Sequence, residues 1–241
     1  MEMAHPWLAV RGVIERRRAI RDFAPSEVDD DDLRAILEAA LLAPSSSNLQ
    51  LFRLHVVKDS KKRAALAHAC MSQRAARTAP VLIAVAACPV EAARSIEEQD
   101  LALAAEPSLS LEARKHAVRH LSKLRAIVRF TPGSLWVPVT RVALWIARKL
   151  APIPDLATGA RAFRDWAVRN SAFAAQTLML AAEALGYASC PMEGFDRFRV
   201  ERALGLKNEH VWLVIALGRR AADARVDPRW RRPFSTLVRM H

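Results

Sequence analysis

Ala184-Leu185-Gly186-Tyr187-Ala188-Ser189-Cys190-Pro191-Met192-Glu193-Gly194-Phe195-Asp196 is the stretch on which the reading of this chain turns. Just upstream, Asn170 to Leu185 is small or apolar nearly all round, with Ala172, Phe173, Ala174, Ala175, Leu178, Met179 and Ala182 among its residues. A helix without a polar face is buried on most sides, and Gly186 fits its C-terminal cap. As structure alone, Pro191 to Gly194 is a strand-ending turn. Downstream, Val211 to Leu217 is a buried, β-branched strand closed by Gly218.

Toward the N-terminus the same alternation continues without a regular β-α-β rhythm. Pro80 opens a second buried strand, Val81 to Val85, and Leu54 to Val57 reads as a third, with Lys61 to Ala69 helical between them. Asp29 to Asp32 place carboxylates at the positive end of a helix whose Leu33, Ile36, Leu37, Ala40 and Leu41 fall at helical spacing. Pro44 stops that helix, and Ser45-Ser46-Ser47-Asn48 is a polar turn. The pattern predicts one α+β domain over 1–241 and excludes a doubly wound sheet. No Gly-x-Gly-x-x-Gly or Walker sequence is present, which removes the usual nucleotide-binding folds. Residues 91–165 read as a variable helical insertion or lid. Within it are a basic helix from Leu111 to Phe130 and another along Trp136, Val139, Val142, Ile146 and Leu150, ended by Pro152 and Pro154.

The formal net charge is +12, which favours anionic partners. Nucleic acid is set aside, because the basic residues are scattered and accompany no recognised nucleic-acid-binding signature. Cys70, Cys88 and Cys190 are odd in number and far apart, the usage of reduced thiols in a cytoplasmic protein. Met1 to Val13 carries no long apolar run, so no secretory leader is expected. No Cys-x-x-Cys pair is present, and no metal site is expected.

Four separated patches carry a resemblance. Arg17-Arg18-Ala19-Ile20-Arg21-Asp22-Phe23 lies near the N-terminus, Ala43-Pro44-Ser45-Ser46-Ser47-Asn48-Leu49-Gln50 follows the first long helix, the 184–196 stretch is central, and Arg229-Trp230-Arg231-Arg232-Pro233 is near the C-terminus. In this order they resemble the FMN-dependent nitroreductase family. The resemblance implies a three-layer sandwich with a central mixed sheet, an intertwined homodimer, and FMN at the subunit interface.

It also implies roles. Arg17, Arg229 and Arg231 would clamp the FMN phosphate, since a buried dianion suits planar, paired guanidinium donors; Arg18 and Ala19 belong to the same cofactor-binding motif. Arg21 would face the pyrimidine edge, where a cation stabilises the charge that reduction adds. Arg74 would give a further flavin contact, and Asn170 a polar one. Pro44, Ser45, Ser46 and Asn48 would reach the flavin held mainly by the other subunit. Pro191, Met192, Glu193 and Gly194 would stack against the ring and aim a backbone N–H at N5, with Gly194 permitting close approach.

Electrons would pass from NAD(P)H through FMN to a nitroaromatic, quinone or similar acceptor by a ping-pong route, with no protein nucleophile. A specialised dehydrogenase or flavin-cleaving branch of the fold, and a non-catalytic flavin- or anion-binding protein, stand as alternatives. Two features depart from the family pattern: Ala19 replaces a serine, and Leu51-Phe52 replaces Pro-Trp. For Phe130, Trp136 and Trp145 three readings stand: a helical cover over the flavin's open face, a peripheral helical pair, and a basic amphipathic helix on a membrane surface.

Overall fold

The computed structural model describes residues 5–130, 137–152 and 159–241. Trp136 and Pro154, both used in the sequence reading, lie outside the described residues. The helices are α1 (Pro6–Arg16), α2 (Asp30–Leu41), α3 (Ser60–Ala69), α4 (Arg74–Thr78), α5 (Ala92–Ala105), α6 (Leu111–Phe130), α7 (Val137–Leu150), α8 (Ala160–Ala184), α9 (Arg197–Leu204) and the short α10 (Phe234–Leu237). The strands are β1 (Phe52–Val57), β2 (Val81–Ala87), β3 (Ala188–Met192) and β4 (His210–Gly218), in the sheet order β1-β2-β4-β3.

Every pairing between these strands is antiparallel. The expected mixed sheet therefore takes a restricted form: among the described residues its parallel pairing is the bridge between Ala19 and Ser189 on the outer side of β3. Because side chains alternate across a strand, β2 serves two cores at once. Val81, Ile83 and Val85 pack with Leu33, Ile36 and Ala40 of α2 and Leu178 and Ala182 of α8. Leu82, Ala84 and Ala86 pack with Leu66 of α3, Ala75 and Ala76 of α4 and Val200 of α9. The result is helix, sheet, helix in three layers. A third core joins α5, α6 and α8 through Ile96, Leu121 and Phe163.

Local chemistry explains the ends of the elements. The Asp29 carboxylate accepts from the N–H groups of Asp31 and Asp32 at 2.9 and 3.1 Å and caps α2. Gly186 follows α8 with φ +77°, the left-handed position expected of it. At Gly218 a Cβ would lie 2.5 Å from the Pro80 ring, so the end of β4 and the start of β2 approach closely only because that side chain is missing.

The elements differ from the sequence reading in several places. α8 begins at Ala160 and not at Asn170, because its first turns alternate buried Phe163 and Ala167 with exposed Arg161, Asp165 and Arg169 and so lack the uniform apolar signal. Pro191 lies inside a strand, opposite Ile215, before the turn proper. A proline is tolerated there because β3 is an edge strand. α1 was not read at all: none of its residues is buried in the single chain.

Candidate functional site

The two chain ends meet. Arg17 caps α1 through its own N–H to the Val13 carbonyl, 3.0 Å. The Arg229 guanidinium donates back to the carbonyls of Arg17, at 3.1 Å, and Glu15. Arg231 lies close by, its side chain donating to the Trp230 carbonyl at 2.7 Å. Arg18 is tied to the Asp227 carbonyl. The Arg17 Nη1 is buried and has no hydrogen-bond partner. Burial, followed by the positive charges of Arg229 and Arg231, holds Arg17 below its ordinary pKa, with Glu183 pulling the other way. Buried guanidinium donors are ordinarily satisfied, and like charges held together raise the energy of the folded chain. An anion placed among them would relieve both.

From there the chain runs along β3. Ile20 N–H donates to the Ser189 carbonyl at 3.2 Å beside the Ala19 bridge. The buried Ser189 Oγ has no hydrogen-bond partner. Arg21 and Arg17 both act on Cys190: burial pushes its thiol up and the two cations oppose the rise. Arg21 also pairs with Asp227 at 3.8 Å. A cleft of about 550 Å³ opens here, lined by Arg21, Asp22, Arg74, Asp223, Arg225 and Asp227. Arg74 is committed to the Asp22 carboxylate.

The turn after β3 is held by a residue the sequence reading missed. Gln73 Nε2 donates to the Gly194 carbonyl at 2.6 Å. Gln73 occupies the N-cap of α4 yet makes no side-chain cap bond, because its amide is used across the fold. Its position next to Arg74 was the only signal. Met192 is buried, Pro191 half-buried, and Glu193 and Gly194 are exposed. A Cβ on Gly194 would sit 3.5 Å from Gln73 Nε2, an ordinary contact. The chain itself thus does not demand glycine at 194.

Pro44, Ser45, Ser46 and Asn48 are not part of this cluster. They lead into β1, on the opposite edge of the sheet from β3. Three interstrand spacings of about 4.8 Å separate those edges by roughly 14 Å. Asn170 joins them: its Oδ1 accepts from Ser46 N–H at 2.5 Å and its Nδ2 donates to the Trp166 carbonyl at 2.8 Å. The side chain expected to touch flavin also positions the turn. Gln50 N–H bonds Ser45 Oγ at 3.0 Å, Gln99 bonds the Asn48 carbonyl at 3.1 Å, and His120 of α6 meets Ser47 Oγ at 3.1 Å. Ser47, Asn48 and Gln50 all have φ near +50°. Non-glycine residues seldom adopt this conformation, and it concentrates at ligand-binding turns.

The cysteines are free and buried. Burial pushes Cys70 up to about 11 and Cys88 to about 12, which keeps both as thiols.

This chain belongs to the nitroreductase family, whose sequence profile matches residues 14–219. Membership of that family makes it an oxidoreductase. A protein named NADH dehydrogenase from Thermus thermophilus is 30% identical over 239 residues, 99% of this chain and 98% of its own length. A provisionally assigned nitroreductase from Bacillus subtilis, ydfN, is similar in structure with a TM-score of 0.75 at 23% identity, covering 98% of this chain and 100% of that one. A provisionally assigned nitroreductase from Exiguobacterium sibiricum, solved in complex with FMN, gives a TM-score of 0.65 at 23% identity over 96% and 97% of the two chains. At such identities the likeness to the solved structures is one of fold.

Proposed function

We propose that the chain is an FMN-dependent oxidoreductase that takes electrons from NAD(P)H and passes them to an electron-poor acceptor, a nitroaromatic, a quinone or a similar compound. The observation that carries this reading is the buried, unpartnered Arg17 Nη1 beside Arg229 and Arg231, in the segment that bridges to β3 through Ala19. A dianionic phosphate supplies what those donors lack, so the residues fit FMN. When bound, FMN supplies the hydride and electron transfer. Arg17, Arg229 and Arg231 hold the phosphate end, with Arg18 and Ala19 in the same segment. Arg21 presents a cation toward the pyrimidine edge, where it stabilises negative charge. Pro191 to Gly194 form the backbone wall beneath the ring, fixed by Gln73; Arg74 shapes that wall indirectly, through Asp22.

The turn Pro44–Asn48, held by Asn170, sits on the wrong edge to reach the same flavin within one chain. It completes the site from a second copy, so the working unit is a homodimer with two shared sites. Uncovered apolar side chains support this: Trp7, Leu8, Val10 and Ile14 on α1, Phe173 on α8, and Trp230, Phe234 and Met240 in the C-terminal segment are all exposed. Such surface marks an interface. α6, touching Ser47 through His120, borders the acceptor pocket.

One open pocket serving donor and acceptor in turn requires a ping-pong pattern. Initial rates measured against donor at several fixed acceptor concentrations give parallel double-reciprocal lines. Intersecting lines would show that both substrates bind together and would overturn the shared pocket.

A further inference from the structure

α7 turns its apolar side outward. Val139, Val142, Ile146 and Leu150, spaced by 3, 4 and 4 residues on one stripe, are 57%, 59%, 51% and 85% exposed. The half-buried Val137 and Leu144 fall on the other side of the helix. Among the described residues no other helix or strand makes an extensive contact with α7. Trp145, 63% exposed, borders the stripe, with the Lys149 ammonium 5.5 Å from its ring centre. Arg141 lies on the polar face. α7 contains no acidic residue, and between Glu112 and Asp155 the chain has nine Lys or Arg and no Asp or Glu.

We propose that α7 is a membrane-surface helix that docks this protein on anionic lipid. A stripe of aliphatic side chains, an aromatic residue at its border and lysine and arginine around it are the parts of an interfacial helix: the stripe enters the acyl boundary and the cations meet the headgroups. With 14 residues, α7 is about 21 Å long, too short to cross a bilayer. No helix among the described residues is long and apolar enough to do so, so α7 lies in the plane of the surface. Charge favours lipid over a second copy as the occupant, since another chain of net charge +12 brings more cations than counter-charge to the most basic segment. An anionic leaflet brings it in excess.

The test is flotation of the full-length, flavin-loaded protein with vesicles of phosphatidylglycerol mixed into phosphatidylcholine, against vesicles of phosphatidylcholine alone. The protein floats with the anionic vesicles, and raised salt weakens the association. Ile146→Glu lowers partitioning at least about tenfold, as burying a carboxylate in place of an aliphatic side chain requires. Leu101→Glu, the same charge change at a 71% exposed position on α5, lowers it less than about twofold, the size expected of one charge near the surface spread over a basic protein. Flavin content and thermal midpoint report folding in both variants. No flotation with anionic vesicles overturns the proposal. Equal losses in the two variants overturn it as well, since overall charge and not α7 would then bind the lipid. So does a change of oligomeric state in Ile146→Glu without lipid, which would assign the stripe to a second copy.

Discussion

Arg17 holds one guanidinium nitrogen out of water with nothing to bond, and the charges of Arg229 and Arg231 bear on it. A protein keeps such an arrangement when a ligand completes it. Arg17→Ala therefore weakens FMN by roughly 10- to 100-fold, the worth of a charge-assisted hydrogen bond at about 1.5–3 kcal/mol, and leaves riboflavin, which has no phosphate, far less affected. Arg231→Ala acts in the same direction. Equal losses for FMN and riboflavin, measured by fluorescence quenching, would remove these arginines from the phosphate. Gly194→Val keeps the chain folded, because a Cβ there meets only the end of Gln73, yet abolishes flavin retention. Stoichiometric FMN in that variant would contradict the placing of the ring against this turn. Much of the site was legible at this scale, since the arginines and the Pro-x-x-Gly turn are distinctive residue types in order along the chain. Gln73 was not, because an amide next to a charged residue has no pattern until the fold brings Gly194 to it. Asn170 was legible as a polar residue of the site, and the structure adds its bonds to Ser46 and Trp166.

Elements are fastened to one another by a few polar contacts. Tyr187, just before β3, is buried and donates to the Asp32 carboxylate at 2.8 Å while accepting from Asp29 N–H at 3.3 Å, so one hydroxyl joins the start of α2 to the sheet. Tyr187→Phe costs about 1–3 kcal/mol, read as a lower denaturation midpoint with an unchanged slope; an unaltered midpoint would show the contact to be idle. At the other edge Glu209 accepts from Arg53 and bonds His55, both at 2.7 Å. Burial alone would raise this carboxyl, but the hydrogen bonds from His55 and Arg53 outweigh it and hold it below its usual value near 4.5. A depressed folded pKa stabilises above the unfolded value and is lost as pH falls through the folded one. Glu209→Gln accordingly lowers stability at neutral pH and flattens the decline below about pH 4.5. An unchanged acid limb in that variant would overturn the assignment. The long elements were readable because period 3.6 or a β-branched run persists through them, as in α6 and β2. α1 was not, since its apolar residues face outward and Gly12 interrupts it, and β3 hid behind Pro191, which only an edge strand accepts.

Across the whole molecule the candidate site divides into two groups on opposite edges of one sheet, the arginines and the 191–194 turn along β3 and the Pro44–Asn48 turn ahead of β1. Sequence order cannot show that division, because which strands form the edges of the sheet is decided by long-range pairing and not by any local pattern. The same holds for the outward stripe of α7, whose periodicity was visible while its direction was not. The central claim, a flavin held by this chain and reduced by a nicotinamide donor, is tested most directly by anaerobic titration of the purified protein with NADH or NADPH under visible absorption. The account predicts FMN bound at one per chain, bleached by one equivalent of at least one of the two nucleotides and restored by a nitroaromatic or quinone. Protein that carries no flavin, or flavin that neither nucleotide bleaches, would contradict it.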